Sequence, residues 1–532
     1  MTLELAGRIV PLAPNNPSRS FDGRVRFTEA AGVGNQGRFS GGVIAYTKTK
    51  RVKPTDGTRY VDVGDAYVYP GLIDLHSHIG YNALPLWRLA SRTTPWLHRD
   101  QWPGAATYKE LVSWPAYAFL KGAPEALMAY VQVRALAGGT TAIQGWPPAN
   151  GSPANKLVRN VDDDVGSDLI RTSVINLDVS QLRQRAQLMA EGKASLIYHL
   201  SEGLPDSKVA KEFDDAAQAG ALRRRLIAIH CTAVDDDGFA RWRKLADLDD
   251  KSHPGGIVWS PFSNLWLYGQ TTKVEDALAN GVRVALGSDW GPSGSKNLLG
   301  ELKVAKAWVT RAGLSQRIKD KDLVAMVTST PGDLLAQAWG IQLGRLIPGA
   351  AGDAAVVARR QSDPWSNLIA ARESDVLLVI KDGQPVYGTR ALMRAAGASL
   401  TTAVPIGSQS QHVPLRQPTD RSKLWTWKTV LTELNRVVAD PHHAIDQAHN
   451  ALALAIASGD PKALVPSLGG MLVLEPDMPG GAHAIAGPPP PGAVFTMTKP
   501  PSLAHDRAWF RSLPTDGFDA GLLAQTADYF GF

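Results

Sequence analysis

The sequence predicts an α/β protein: a TIM-type (β/α)8 barrel, a small discontinuous β domain drawn from both chain flanks, and a C-terminal helical and irregular extension. Three observations carry this reading. Short apolar runs alternate with helical stretches over residues 69–339, the pattern of βα units. Strand-like segments with Gly and Asn punctuation fill residues 1–68 and return at 340–400, which together make the composite β domain. Residues 401–532 follow neither pattern and form the extension.

The elements can be justified in order. RIVPL, GRVRFTEAAGV, GGVIAYTKTK and RYVDVGDAYVY alternate as strands do. YVYPGLIDLHSH reads as a buried strand ending in polar residues. PEALMAYVQVRALA (124–137) starts with Pro124 and is stopped by Gly138 and Gly139, so it reads as a helix. The strands TTAIQG, LIRTSVINLD, SLIYHLSEG, RLIAIHCTA, GIVWSPFSN and VRVALGSDW follow, with helices near 180–191, 207–219, 238–247 and 272–280. That makes seven barrel strands, and KLVRNV (156–161) supplies the eighth. GRLIPGAAGDAAVVARR and DVLLVIKDGQPVYG return to the β domain. In the extension, Trp425, Trp427, Leu431, Leu434 and Val438 have helical spacing within 421–457, and Pro488–Pro491 reads as an extended linker.

Composition narrows the function. With 532 residues, 44% hydrophobic and 20% charged, the chain is not disordered. A single cysteine, Cys231, excludes an intramolecular disulfide scaffold and a cysteine-based zinc or iron–sulfur site. No run of 18 apolar residues is present, so no membrane span is expected, and Glu4 and Arg8 interrupt any signal-peptide core. The expected address is the cytoplasm. The net charge of +6 arises largely in residues 1–60, where ten Lys/Arg face Glu4, Asp22, Glu29 and Asp56. These cations are scattered through a Gly- and β-rich stretch rather than gathered on one helix or stripe, so nucleic acid is not an expected partner, and no membrane partner is expected either. A small-molecule substrate is expected, with homo-oligomerisation left open.

Chemistry gathers at the strand ends, where barrel active sites lie. His76 and His78 stand two apart after GLIDL, so their imidazoles share one face. His199 ends LIYHLSEG, with Glu202 three residues on; His230 ends RLIAIHCTA; Asp289 ends VRVALGSDW. A single histidine of this kind is more often a satisfied core residue. Four such positions at successive strand ends are different, because burying that many ionisable groups is costly without a metal or a closed network.

These residues give the chain a family resemblance. PGLIDLHSHIG, AGGTTAIQG, YHLSEG, the strand-end His230, SPFSN and ALGSD, with the returning GRLIPGAAGDAAVV, resemble the amidohydrolase superfamily over about residues 1–395. The resemblance implies a distorted barrel whose mouth holds one or two divalent metals. HxxE after the fifth strand is similar to the mononuclear aminohydrolase branch. That implies His76, His78, His199 and Asp289 as ligands of one ion, Zn²⁺ or alternatively Fe²⁺, with Glu202, His230 and Asp289 catalytic. The implied reaction is hydrolysis at a trigonal carbon of a C–N bond by a metal-activated hydroxide. Deamination of an aminated heterocycle and opening of a cyclic amide both fit. A binuclear amide hydrolase would need a bridging lysine, for which Lys156 is the candidate. A non-catalytic scaffold relative would be expected to lack ligands that are present here.

Other residues invite two readings. Ser263 and Asn264 either line the substrate pocket or close a turn. Trp146, after TTAIQG, is a candidate substrate contact, and WGPSGSKN (290–297) is a loop that could shape the pocket. The insertion at 80–120, with Trp87, Trp96, Trp102 and Trp114, is either a binding wall or packing. Cys231 reads as a buried thiol, and His442, Asp446 and His449 as surface positions on a helix. His98, His253, His412, His443, His483 and His505 read as surface residues.

Overall fold

The computed structural model describes residues 2–89, 91–105, 107–146, 153–162, 168–173, 176–246, 253–458, 489–513 and 526. Its β layer is a nine-stranded sheet. The first flank supplies β1 (Leu3–Ile9), β2 (Phe21–Glu29), β3 (Gly42–Thr49) and β4 (Arg59–Pro70). The barrel region follows with β5 (Leu72–Asp74), β6 (Thr140–Ile143), β7 (Arg159–Asn160), β8 (Ile170–Ser173), β9 (Ser195–Leu200), β10 (Leu226–His230), β11 (Gly256–Trp259) and β12 (Arg283–Leu286). The chain then returns with β13 (Ala354–Val357), β14 (Val376–Lys381), β15 (Gln384–Gly388), β16 (Thr402–Ile406) and β17 (Gln409–Val413). The sheet order is β16-β17-β15-β14-β13-β4-β1-β2-β3. Both flanks therefore meet where β13 pairs antiparallel with β4.

Two boundaries differ from the sequence reading. YVYPGLIDL is not one strand: YVYP ends β4 in the sheet, and LID is β5 in the barrel. Gly71 marks the crossing, where a Cβ would stand 2.2 Å from Thr141 Oγ1, so only glycine lets the two layers approach. The sheet also takes 402–413, residues assigned above to the extension. Pro405 hides this strand in the sequence, yet β16 is at the sheet edge, where proline is tolerated.

Four cations of the basic first flank, Arg8, Arg24, Arg26 and Arg51, pair with acids of the same flank. Buried Glu4 accepts from Arg26 Nε at 2.8 Å and Tyr46 at 2.5 Å, and Arg26 also reaches Asp56 at 2.6 Å.

The strands β5–β12 run parallel in two ladders, β5-β6-β7 and β8-β9-β10-β11-β12. KLVRNV contributes only the two-residue β7, paired with Ala142 and Ile143, and no ladder joins β7 to β8 among the described residues. The other seam is bridged by Ser77 with Asp289 and by Asp289 N–H on the His76 carbonyl at 2.9 Å. On β9 the two-residue period is visible. Ile197 packs with Ile73, Ala142, Ile227 and Val258, while Leu196 and Tyr198 join the other core. His199 therefore follows Ile197 inward at the end of the strand.

The predicted helical stretch is two helices, Trp427–Ala439 and Pro441–Ser458, broken at Pro441. Trp427, Val430, Leu434 and Val437 are the buried face, and Trp427 stacks on Tyr130 of helix Pro124–Ala137 with centroids 6.0 Å apart. Pro488 and His483 lie outside the described residues; 489–513 runs back to the barrel and buries Leu503, Ala504 and His505. His505 and His253 are buried, against the surface reading. Their partners are Glu373 at 2.6 Å for His505, and the Gly255 carbonyl at 2.9 Å with Gln337 for His253. No helix among the described residues is long and apolar enough to cross a membrane.

Candidate active site

Four strand ends deliver the expected side chains to one place. His76 Nε2 lies 3.3 Å from His78 Nε2 and 3.1 Å from His199 Nε2. Asp289 Oδ1 is 3.4 Å from His76 Nε2 and 3.8 Å from His78 Nε2. His230 Nε2 stands 3.5 Å from Glu202 Oε2. Potential ligand atoms fall within 4.8 Å of one another in three groups: His76, His78 and His199; His76, His230 and Asp289; His199, Glu202 and His230. His230 and Asp289 have φ of 67° and 58°, left-handed conformations costly for such residues and typical of functional strand ends.

The surroundings fix orientation. Asp74, two residues before His76, is buried and accepts from Ser288 N–H at 3.1 Å and Ser288 Oγ at 2.5 Å, tying the end of β5 to the end of β12. His76 Nδ1 is 2.8 Å from Ser260 Oγ, which directs Nε2 inward. The Thr271 hydroxyl accepts from Trp259 Nε1 and donates to Asn264 Oδ1 at 3.2 Å, while the Thr272 hydroxyl donates to the His230 carbonyl at 2.6 Å. The Asn264 amide N–H therefore turns to His230 Nδ1 at 3.0 Å, making Nδ1 the acceptor and placing the imidazole proton on Nε2. Tyr268 OH donates to Glu202 Oε1 at 2.7 Å.

Burial drives the electrostatics. It holds His76 and His199 well below the usual imidazole range, with neighbouring imidazoles adding to the effect. His230 is brought down to about 4 by burial, against the pull of Asp289. Burial raises Glu202 against the counter-effects of Arg99 and the Tyr268 bond, and raises Asp289 against His230. Asp74 is pushed up to about 7 by burial despite its Ser288 bonds. Neutral imidazoles are the form that can ligate a metal.

The donor set fits a divalent cation. Two nitrogens bound at about 2.0–2.1 Å to a tetrahedral ion stand about 3.3–3.4 Å apart. The Nε2 spacings of 3.3 and 3.1 Å are close to that. The lysine bridge has no support: Lys156 is exposed and lines a separate cavity of about 540 Å³ with Glu29, Arg38, Arg159, Lys381 and Asp382.

The remaining expectations divide. Ser263 and Asn264 sit on the first turn of helix Pro261–Tyr268 rather than at a strand end, both fully buried. Asn264 orients His230, and Ser263 bonds Asp289 and lies 3.0 Å from Ser293 Oγ. Trp146 is buried with its indole N–H on the Ile143 carbonyl at 3.1 Å, a packing role. In the insertion, Trp102 lies tilted against Trp290, centroids 5.0 Å apart, and its indole reaches Tyr268 OH at 3.3 Å. Cys231 is buried with its thiol pushed up by burial. His442 and His449 bond the Ala493 carbonyl and Tyr117 OH separately, at 2.7 and 3.2 Å. Asp74, Ser260, Tyr268 and Thr272 escaped sequence reasoning. Only Asp74 had a signal, since it shares the two-residue period of His76 and His78.

Parallel strands ending in a histidine–carboxylate cluster are the arrangement found in metal-dependent barrel hydrolases. Residues 181–386 match the model of the amidohydrolase family. A 5-methylthioadenosine/S-adenosylhomocysteine deaminase of Syntrophobacter fumaroxidans is 27% identical over 380 residues, 63% of this chain and 84% of the relative. The namesake deaminase of Acetivibrio thermocellus is 24% identical over 403 residues, 67% of this chain and 90% of the relative. Among solved structures, the atrazine chlorohydrolase of Arthrobacter aurescens complexed with zinc superposes with a TM-score of 0.54 at 17% identity, covering 72% of this chain and 95% of that one. Guanine deaminase of C. acetobutylicum with bound guanine gives 0.51 at 15% identity, covering 72% and 100%. Over the matched residues the chain is similar to the amidohydrolase family, and its fold is that of these barrel hydrolases.

Proposed function

We propose that the chain is a metal-dependent aminohydrolase that removes an exocyclic amine from an aminated heterocycle, with an adenine nucleoside as the leading substrate class. The single observation that carries this reading is the convergence of His76, His78, His199 and Asp289 beside the Glu202–His230 pair. One divalent ion, Zn²⁺ with Fe²⁺ as the alternative, would be held by those four residues. Such an ion, when bound, acts as a Lewis acid and lowers the pKa of water to roughly 7.

The chain's own groups divide the remaining work. Asp289 takes the proton of the attacking water. Glu202, whose carboxyl is favoured in its neutral form by burial, delivers its proton to the ring nitrogen; the proton held by Asp289 passes to the departing amine, and the remaining proton of the added water returns to Glu202. His230 presents its Nε2 proton to the oxygen that develops at the attacked carbon. The bond from carbon to the amine breaks, the water oxygen replaces it, and ammonia leaves.

The deaminase relatives favour this over opening of a cyclic amide. An ammonia-release screen over adenosine, 5-methylthioadenosine, S-adenosylhomocysteine, guanine and amino-triazines, with dihydropyrimidine amides as the contrast, tests it. Ammonia from an adenine nucleoside is the expected result. Ring opening without ammonia would overturn it.

A further inference from the structure

We propose that Tyr268 is a positioning residue for Glu202, and that Trp102 of the insertion completes its hold. The proposal rests on the catalytic role given above to Glu202. Tyr268 closes helix Pro261–Tyr268 and is 1% exposed. Its hydroxyl lies between two partners, Glu202 Oε1 at 2.7 Å and Trp102 Nε1 at 3.3 Å. An indole N–H can only donate, so the hydroxyl accepts from Trp102 and gives its one proton to Glu202. That contact pins Oε1 and leaves Oε2 as the oxygen facing His230 Nε2, 3.5 Å away.

The backbone around Glu202 is held by the same insertion. Leu204 N–H reaches the Leu97 carbonyl at 2.7 Å, and Arg99 N–H reaches the Glu202 carbonyl at 3.3 Å. A Cβ on Gly203 would stand 2.5 Å from the Leu97 oxygen, so the approach needs glycine. Trp96 N–H bonds the Leu267 carbonyl at 2.9 Å, beside Tyr268. The insertion thus joins the segment bearing Glu202 to the helix bearing Tyr268. Both ends of the Tyr268–Glu202 bond are set by one wall.

Removing the hydroxyl leaves a buried carboxyl oxygen without its fixed donor, and the side chain turns away from His230. The test uses the full-length, metal-loaded protein with 5-methylthioadenosine as substrate, and crystals of the Tyr268→Phe variant. Y268F should lower kcat about 10–100-fold, the range for partners that orient a working side chain, with KM within about twofold and metal content unchanged. Its crystals should show Oε2 displaced from His230. An unchanged kcat, a change confined to KM, or a Glu202 carboxyl that stays in place overturns the proposal. Should Y268F not fold, Trp102→Phe reads the same division between kcat and KM with a few-fold loss of kcat expected, and an unchanged kcat there overturns it. If the wild-type protein releases ammonia from none of the screened compounds, the deamination reading fails, and the Y268F crystal alone decides the positioning of Glu202.

Discussion

Two buried clusters each combine histidine with glutamate, and they are built on opposite principles. Beneath the C-terminal segment, Glu373 Oε1 accepts from the His505 ring at 2.6 Å, the His505 N–H at 3.2 Å and the Asn297 amide at 3.0 Å. His505 Nε2 accepts the Lys296 N–H at 3.2 Å, and Lys296 Nζ donates to the Ser502 and Ala504 carbonyls at 2.6 and 2.7 Å. Donors and acceptors alternate. Burial alone would raise Glu373, yet these contacts hold it at about 2. At the barrel mouth the rule is reversed. Three imidazole nitrogens and a carboxylate oxygen, acceptors once the rings are neutral, point at one another. There, burial drives histidines down and carboxyls up, each towards its neutral form. The first cluster is complete and fastens the C-terminal segment to the loop after β12. The second has the donor set that could hold a cation. A buried polar cluster therefore says little by its residue types; the pairing of donor with acceptor separates a structural fastening from a working site.

The largest expected effect lies in the mouth. Glu202→Gln keeps the shape and removes the transferable proton, so kcat should fall by roughly 10²–10⁴ while metal content and melting temperature stay near wild type. Steady-state kinetics beside metal analysis checks this, and retained turnover removes Glu202 from the proton path. The opposite pattern is expected in the fastening. His505→Leu takes a donor from buried Glu373 and an acceptor from Lys296 N–H, costing about 3 kcal/mol of stability. Denaturant unfolding should show that loss, with the metal count unaltered; a His505→Leu protein that loses its metal but not its stability would reverse the assignment of the two clusters.

A further effect concerns pH. Burial lowers Lys303 Nζ to about 7, below the roughly 10.4 of an unfolded lysine. Between those values the unfolded chain binds a proton that the folded chain does not. This lysine's contribution to stability therefore rises as pH climbs from 7 to about 10, by at most about 1.4 kcal/mol per pH unit. Unfolding at pH 7, 8.5 and 10 should show a shallower rise in Lys303→Met; an identical slope would mean that Lys303 stays charged.

The contrast also explains what could be read in advance. His76, His78, His199, His230 and Asp289 were legible because each ends an apolar strand run, and the ends of parallel strands share one face of the layer. The short strand at Arg159–Asn160 was visible in KLVRNV, although its two-residue length was not. Tyr268 gave no sign, since its contact with Glu202 joins residues 66 positions apart. His505 was read as a surface residue because Glu373, 132 positions away, carries no mark in the sequence of what it will meet. The strands at 402–413 were missed because a proline in an edge strand resembles a loop.

Counting divalent metal per chain by elemental analysis, in wild type and in His199→Ala, is the most direct measurement. The account predicts one tightly held ion in the wild type and nearly none in the variant, with the variant still folded. Two ions in the wild type, none at all, or an undiminished ion in His199→Ala would contradict it.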